Sequence, residues 1–203
     1  MENQLVTQTI DLGTTEVTVL QPLEAAELPD DGEVEWAPLM PYWSVLWRSG
    51  VALAREVATM DLRGRRVVEL GCGLGLPSLA AARGGASVLA TDAEPAALEL
   101  VERGAELNGI ELETAVVKWS NPELLVDRAP FDLVLGSDVL YERQSVGSLL
   151  SLLPRLAPQA LLADPGRPAS GAFLEWAWER WSVEARRRGV VAINAIRMTP
   201  APD

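Results

Sequence analysis

From Arg65 onward, short apolar runs alternate with longer segments whose apolar positions recur at helical spacing. Arg66–Leu70 predicts a buried strand, followed by a glycine-rich turn and a helix through Ala82. Ser87–Thr91 predicts a second strand and Pro95–Asn108 a second helix, with Pro95 suited to its first turn and Asn108-Gly109 to its close. Further strands are expected at Thr114–Lys118, Phe131–Gly136, Ala160–Ala163 and Val190–Arg197, and further helices at Gln144–Leu156 and Gly171–Arg188. Strands alternating with helices build right-handed crossovers and a mainly parallel sheet. A single strand is readable after Arg188, so the sheet is expected to lack its last strand or to have it replaced.

The first third of the chain follows another pattern. Gln4–Thr7 and Thr15–Val19 alternate around Asp11-Leu12-Gly13, which predicts a β-hairpin or two short strands. Gln21–Pro38 is acidic, carries prolines and shows no period, as a loop does. Its stretch Glu24–Glu35 has no assigned role from the sequence, which leaves a lid and a substrate-docking element both open. Trp36, Tyr42, Trp43 and Trp47 then crowd one short segment, and an apolar face from Ser44 to Met60 predicts an amphipathic helix. The expected architecture is one α/β domain with a doubly wound, mainly parallel sheet. Residues 1–60 form an N-terminal extension of hairpin, acidic loop and Trp-rich helix, packed on a core of residues 61–203.

Composition narrows the chemistry. The 203 residues suffice for one sizeable core, at 48% hydrophobic and 23% charged. The net charge of −12 disfavours nucleic acid, whose phosphates need basic side chains, and suits a cationic or neutral substrate; the alternative is charge kept for solubility. Histidine is absent, which excludes imidazole catalysis and histidine-bound zinc. The single cysteine, Cys72, builds neither a disulfide nor a thiol cluster, so no metal is expected. No apolar run reaches bilayer length, and Met1–Gln4 does not open a signal peptide; a cytoplasmic protein without membrane contact, acting as a monomer, is expected.

The strongest local signal is Glu69-Leu70-Gly71-Cys72-Gly73-Leu74-Gly75, between an expected strand and an expected helix. Glycines there permit a sharp turn and a close ligand approach. Asp92, at the end of the second strand, is placed to accept hydrogen bonds from ribose hydroxyls. The alternative is a tight turn and a helix-capping aspartate. The spacing G-x-G-x-G differs from the dinucleotide G-x-G-x-x-G, and the Lys-Ser/Thr ending of a P-loop is missing. Glu69 would repel a pyrophosphate yet attract an ammonium, directly or through water. S-adenosylmethionine, with its sulfonium, amino-acid head and ribose, fits this set better than NAD.

These segments, with Pro41-Tyr42-Trp43 through Trp47, Gly136-Ser137-Asp138-Val139-Leu140-Tyr141 and Asp164-Pro165-Gly166-Arg167-Pro168, resemble the seven-β-strand class I methyltransferases from about Ala37 to Pro200. More narrowly the chain is similar to the branch holding the electron-transfer-flavoprotein β-subunit lysine methyltransferase and nicotinamide-N-methyltransferase-like bacterial relatives. The D-x-x-Y and D-P-G-R-P segments carry that narrower likeness. The resemblance implies a Rossmann-like methyltransferase fold with S-adenosylmethionine as cofactor. Gly71, Gly73 and Gly75 would line its methionine and ribose with Glu69 nearby, and Asp92 would hold the ribose. Trp119 would lie against adenine, Trp47 would close the pocket, and Ser137 joins the cofactor-binding set. Asp138 and Tyr141 would face the methyl-accepting nitrogen.

Each role has a plainer counterpart. Trp47 and Trp119 can pack as core, Tyr141 can be a surface tyrosine, Arg167 a loop tether and Cys72 a small filler. The expected activity is methylation of a protein lysine by in-line transfer. The alternatives are a small-molecule amine or nicotinamide-like acceptor, a non-catalytic cofactor-binding protein and, least fitting, an NAD-dependent oxidoreductase.

Overall fold

The computed structural model describes residues 4–26, 41–141 and 143–198. Strands β1 (Leu5–Asp11) and β2 (Glu16–Pro22) form an antiparallel hairpin with Leu5 opposite Pro22 and Asp11 opposite Glu16. A short helix α1 (Leu23–Ala26), a 3₁₀ turn at Tyr42–Ser44 and helix α2 (Arg48–Val57) follow. Then come β3 (Arg66–Leu70), α3 (Leu76–Arg83), β4 (Ser87–Asp92), α4 (Pro95–Asn108), β5 (Glu113–Val116), α5 (Glu123–Arg128) and β6 (Leu133–Ser137). The chain continues through α6 (Arg143–Leu156), β7 (Gln159–Asp164), α7 (Pro168–Arg180), β8 (Ser182–Arg188) and β9 (Val191–Arg197).

The main sheet has seven strands in the order β5-β4-β3-β6-β7-β9-β8. The first five are parallel, while β9 runs antiparallel to both β7 and β8. Helices cover both faces, so the central strands are apolar on successive residues rather than alternate ones. Val67, Leu133, Leu135, Leu161 and Ile193 point to the layer of α2, α3 and α4. Val68, Leu70, Val134, Leu162 and Ile196 point to the layer of α5, α6 and α7. Fully buried leucines such as Leu53, Leu79, Leu149 and Leu153 each stabilise these layers by about 1.5–3 kcal/mol.

The hairpin forms a separate layer outside α3 and α4, with Val17 and Val19 buried beneath it. Asn108, in the last turn of α4, ties it down: its Nδ2 donates to Thr18 O at 2.6 Å and Gly104 O at 2.7 Å, and its Oδ1 accepts from Thr18 N at 3.0 Å. The amide thus plays the part of a neighbouring strand toward β2. Gly109 ends α4 in the left-handed conformation at φ +62°, as a helix C-terminus favours.

Several expectations are corrected. The missing strand is present: the expected helix Gly171–Arg188 stops at Arg180, and Ser182–Arg188 forms the edge strand β8. A two-residue turn, Gly189-Val190 with Gly189 at φ +63°, joins β8 to β9, and antiparallel pairing outweighs the helix-forming bias of Glu184-Ala185-Arg186. Arg186 and Arg188 anchor β8 to α2 through Glu56 at 3.1 and 2.8 Å. The N-terminal helix starts at Arg48 rather than Ser44, which leaves Trp47 extended at its N-terminal flank. Helix α5 was not anticipated. Trp36 and most of the acidic segment 24–35 lie outside the described residues. Among the described residues no helix is long and apolar enough to cross a membrane.

Candidate functional site

The strand order reverses between β3 and β6, and in open α/β sheets such a switch point leaves a crevice at the carboxyl ends of the strands. A cavity of about 850 Å³ lies there, within the size range of small-molecule sites. The loop after β3 forms its floor, the ends of β4, β5 and β6 its sides, and Pro41–Trp47 one wall.

The loop Gly71–Gly75 turns tightly, with Gly75 N donating to Cys72 O at 2.8 Å. Two of its glycines are required by close neighbours. A Cβ on Gly73 would stand 2.8 Å from the Trp43 carbonyl oxygen, and one on Gly75 would stand 2.7 Å from Val101 Cγ2 of α4. Both residues also have positive φ, which L side chains rarely adopt. Gly75 thus serves packing between helices, while Gly73 brings loop and aromatic wall together. Gly71 leaves room for Trp119, whose ring would lie 3.3 Å from a Cβ there.

Asp92 is buried at the end of β4 and braces the loop. Its Oδ2 accepts from Gly73 N at 2.9 Å and its Oδ1 from Glu94 N at 3.0 Å. Trp119 follows β5 and is half-buried on the cavity wall. Trp47 is fixed by its indole Nε1–H, which donates to Tyr42 O at 2.9 Å. Ser137 ends β6, and α2 comes close to it: a Cβ on Gly50 would lie 3.5 Å from Ser137 Oγ.

Asp138 follows directly. It is the one non-glycine residue with positive φ, +57°, among the described residues, a conformation aspartate tolerates better than most. Its N–H donates to Ala163 O of β7 at 2.9 Å. Arg167 donates to its Oδ1, while Oδ2 is buried with no hydrogen-bond partner among the described residues. Burial raises the Asp138 pKa above the ordinary aspartate value, partly opposed by the Arg167 guanidinium and the Ser49 hydroxyl. Tyr141 stands at the rim, exposed.

Nine of the ten singled-out positions therefore surround one cavity: Trp47, Gly71, Gly73, Gly75, Asp92, Trp119, Ser137, Asp138 and Tyr141. Glu69 does not. Its side chain is fully buried behind the loop, where Oε2 accepts from Ser78 N at 2.8 Å and Ser78 Oγ at 2.5 Å in the first turn of α3. The expected approach of an ammonium to Glu69 therefore has no direct path from the cavity wall. Oε1 has no partner among the described residues, and burial pushes the Glu69 pKa up to about 8, with Ser78 opposing. Arg167, which the sequence left between tether and site residue, lines the cavity. Lys118 and Gln144 line it too, and neither had stood out.

A family model described as lysine methyltransferase matches residues 43–162, the stretch from the aromatic wall through β7. The chain belongs to the lysine methyltransferase family. Family relatives include the electron transfer flavoprotein β subunit lysine methyltransferase of Xenopus laevis, 36% identical over 137 residues, covering 63% of this chain and 53% of the relative. The protein N-lysine methyltransferase METTL21A of Danio rerio is 34% identical over 121 residues, covering 56% of this chain and 55% of the relative. The chain spans about half the length of the curated relatives it matches. Among solved structures, a Thermus thermophilus 16S rRNA N2 G1207 methyltransferase in complex with AdoMet and guanosine superposes with a TM-score of 0.69 at 18% identity. That likeness covers 96% of this chain and 51% of the other, and it concerns the fold.

Proposed function

We propose that this lysine methyltransferase family member transfers a methyl group from S-adenosylmethionine to a lysine side chain of a protein substrate. The observation that carries the reading is that the Gly71–Gly75 loop with Asp92 and the buried carboxylate of Asp138 share one cavity. One end suits a nucleoside and the other an amine. The fit to the cofactor rests on Asp92, whose carboxylate is held at the cavity wall for ribose hydroxyls, and on the half-buried indole of Trp119 as a purine platform. Gly71, Gly73, Gly75, Ser137 and Trp47 would line it. Glu69 would act from behind the loop, through water or the loop backbone. In this reading the core of residues 61–203 carries the cofactor, and the extension of residues 1–60 contributes the wall Pro41–Trp47.

When bound, the cofactor supplies an electrophilic methyl on a sulfonium. The protein's share is positioning, which well-oriented sites turn into several kcal/mol of barrier reduction. A lysine amine is protonated in water and has no lone pair until its proton leaves. Asp138, more basic than an ordinary carboxylate because it is buried, accepts that proton, and Tyr141 orients the amine from the rim. The freed amine would then be held for the methyl that the cofactor supplies, and the proton left on Asp138 would be released to water. We place the enzyme in the cytoplasm as a monomer, on its single cysteine and its high net charge.

Calorimetric titration tests this. S-adenosylmethionine is expected to bind with a micromolar-range Kd (about −8 kcal/mol), and Asp92→Ala, confirmed folded by its circular dichroism, to weaken it at least about tenfold. Binding of NAD in its place would overturn the reading.

A further inference from the structure

Asp138, Asp164 and Arg167 form a nearly closed ionic cluster at the end of β6 and β7. Their side chains are 11%, 3% and 22% exposed. Arg167 Nη1 reaches both carboxylates, Asp138 through Oδ1 and Asp164 through Oδ2 at 3.2 Å. Asp164 is held independently, since its Oδ1 accepts the Gly166 and Arg167 backbone N–H groups at 2.7 and 2.8 Å. Asp138 has no such backbone donors at its carboxylate, only the Ser49 hydroxyl beside Arg167. Oδ2 is shut away without a partner among the described residues, so a cation arriving from the cavity meets Oδ1, the oxygen Arg167 occupies. Within these three side chains two carboxylates face one guanidinium, and Arg48, Arg55 and Arg188 stand further along the adjoining groove. A buried charge lacking compensation is costly, and one further cation restores the balance.

Asp138 and Arg167 also sit where the main cavity meets a second groove, lined by Ile10 and Leu12 of the hairpin region, Val51 and Arg55 of α2, and Val190 of the β8–β9 turn. Both residues face both spaces. The pair therefore stands at the junction an acceptor side chain must reach.

We propose that Arg167 is a positioning residue that stands in for the acceptor's ammonium group on Asp138 and withdraws onto Asp164 when a primary ammonium takes its place. The inference rests on the proposed methyl transfer to lysine and adds to it the acceptor's charge state on arrival and the residue that yields to it. A neutral acceptor gains nothing from the exchange, since it leaves the cluster short of charge.

Two substitutions at this cluster then act in opposite directions. Arg167→Gln removes the competitor and is expected to tighten binding of n-butylammonium, a lysine side-chain probe, by roughly tenfold. Asp164→Asn removes the place to which Arg167 retreats and is expected to weaken the same binding by a similar factor. Arg167→Lys is expected to remain close to the wild type. Carbon-13 NMR of the Asp138 carboxyl reports both probe binding and its pH titration in the cofactor-free protein. In Arg167→Gln that titration is expected to move to higher pH, and in Arg167→Lys to return. The amide spectrum of each variant establishes that it is folded. Weaker or unchanged probe binding in folded Arg167→Gln, or an unmoved Asp138 titration, would overturn the proposal. Failure of S-adenosylmethionine to bind would strike the methyltransferase reading alone, because none of these measurements uses the cofactor.

Discussion

Glu69 is a carboxyl group sealed under a glycine loop, with one oxygen on Ser78 and the other without a partner among the described residues. Folded, it keeps its proton up to about pH 8, against an ordinary value of 4.5. The folded chain therefore binds more protons than the unfolded chain across that window, and stability must fall as pH rises through it. Each pK unit corresponds to about 1.4 kcal/mol. Urea unfolding of the cofactor-free protein between about pH 5 and 8 is expected to show this decline, and Glu69→Gln, which keeps an acceptor for Ser78, to flatten it. Equal slopes in the two proteins would refute the assignment. The sequence announced an acid before the glycines, yet not that its side chain turns back into the first turn of α3. Asp92 and the loop were legible because their partners lie close in sequence or on adjacent strands. The Asp138–Arg167 contact joins residues from two different strand ends, and the positive φ of Asp138 leaves no compositional trace.

Among the elements, the parallel strands β3, β4, β6 and β7 were readable because burial on both faces writes itself as short runs of successive Val, Leu and Ala. Strand β8 was not. Ser182–Arg188 is exposed almost throughout and rich in helix formers, so only its pairing with β9 makes it a strand. The hairpin was legible by its alternation, but its attachment was not, because Asn108 reads as an ordinary helix-ending residue. Asn108→Ala would leave the Thr18 N–H and C=O without their partner, at a cost of about 1–3 kcal/mol. Hydrogen exchange is expected to show the Thr18 amide losing protection while the amides of β3 keep theirs. Uniform loss across both would mean that the hairpin and the main sheet open as one unit.

At the scale of the whole molecule, 29 acidic against 17 basic side chains create a negative field around a cavity read here as receiving a cation. Association with a lysine-rich probe peptide, followed by stopped flow, is expected to slow by roughly tenfold as salt shortens the screening length below about 10 Å. A salt-insensitive rate would assign the charge to solubility instead. The order of the strands has a further consequence, for how the protein is made. β9 fits between β7 and β8, so of this sheet's seven strands the last to be synthesised is not the one that ends at the sheet's edge. Until Arg197 has emerged, β7 presents Ala160, Leu161 and Leu162 along an open row of backbone donors and acceptors, a template for any stray strand. The β8–β9 hairpin, local in sequence and joined by Gly189, can form within microseconds and dock as a unit. The arginines of the finished edge then deter further addition. Nascent chains stalled just before β9 are the ones expected to aggregate.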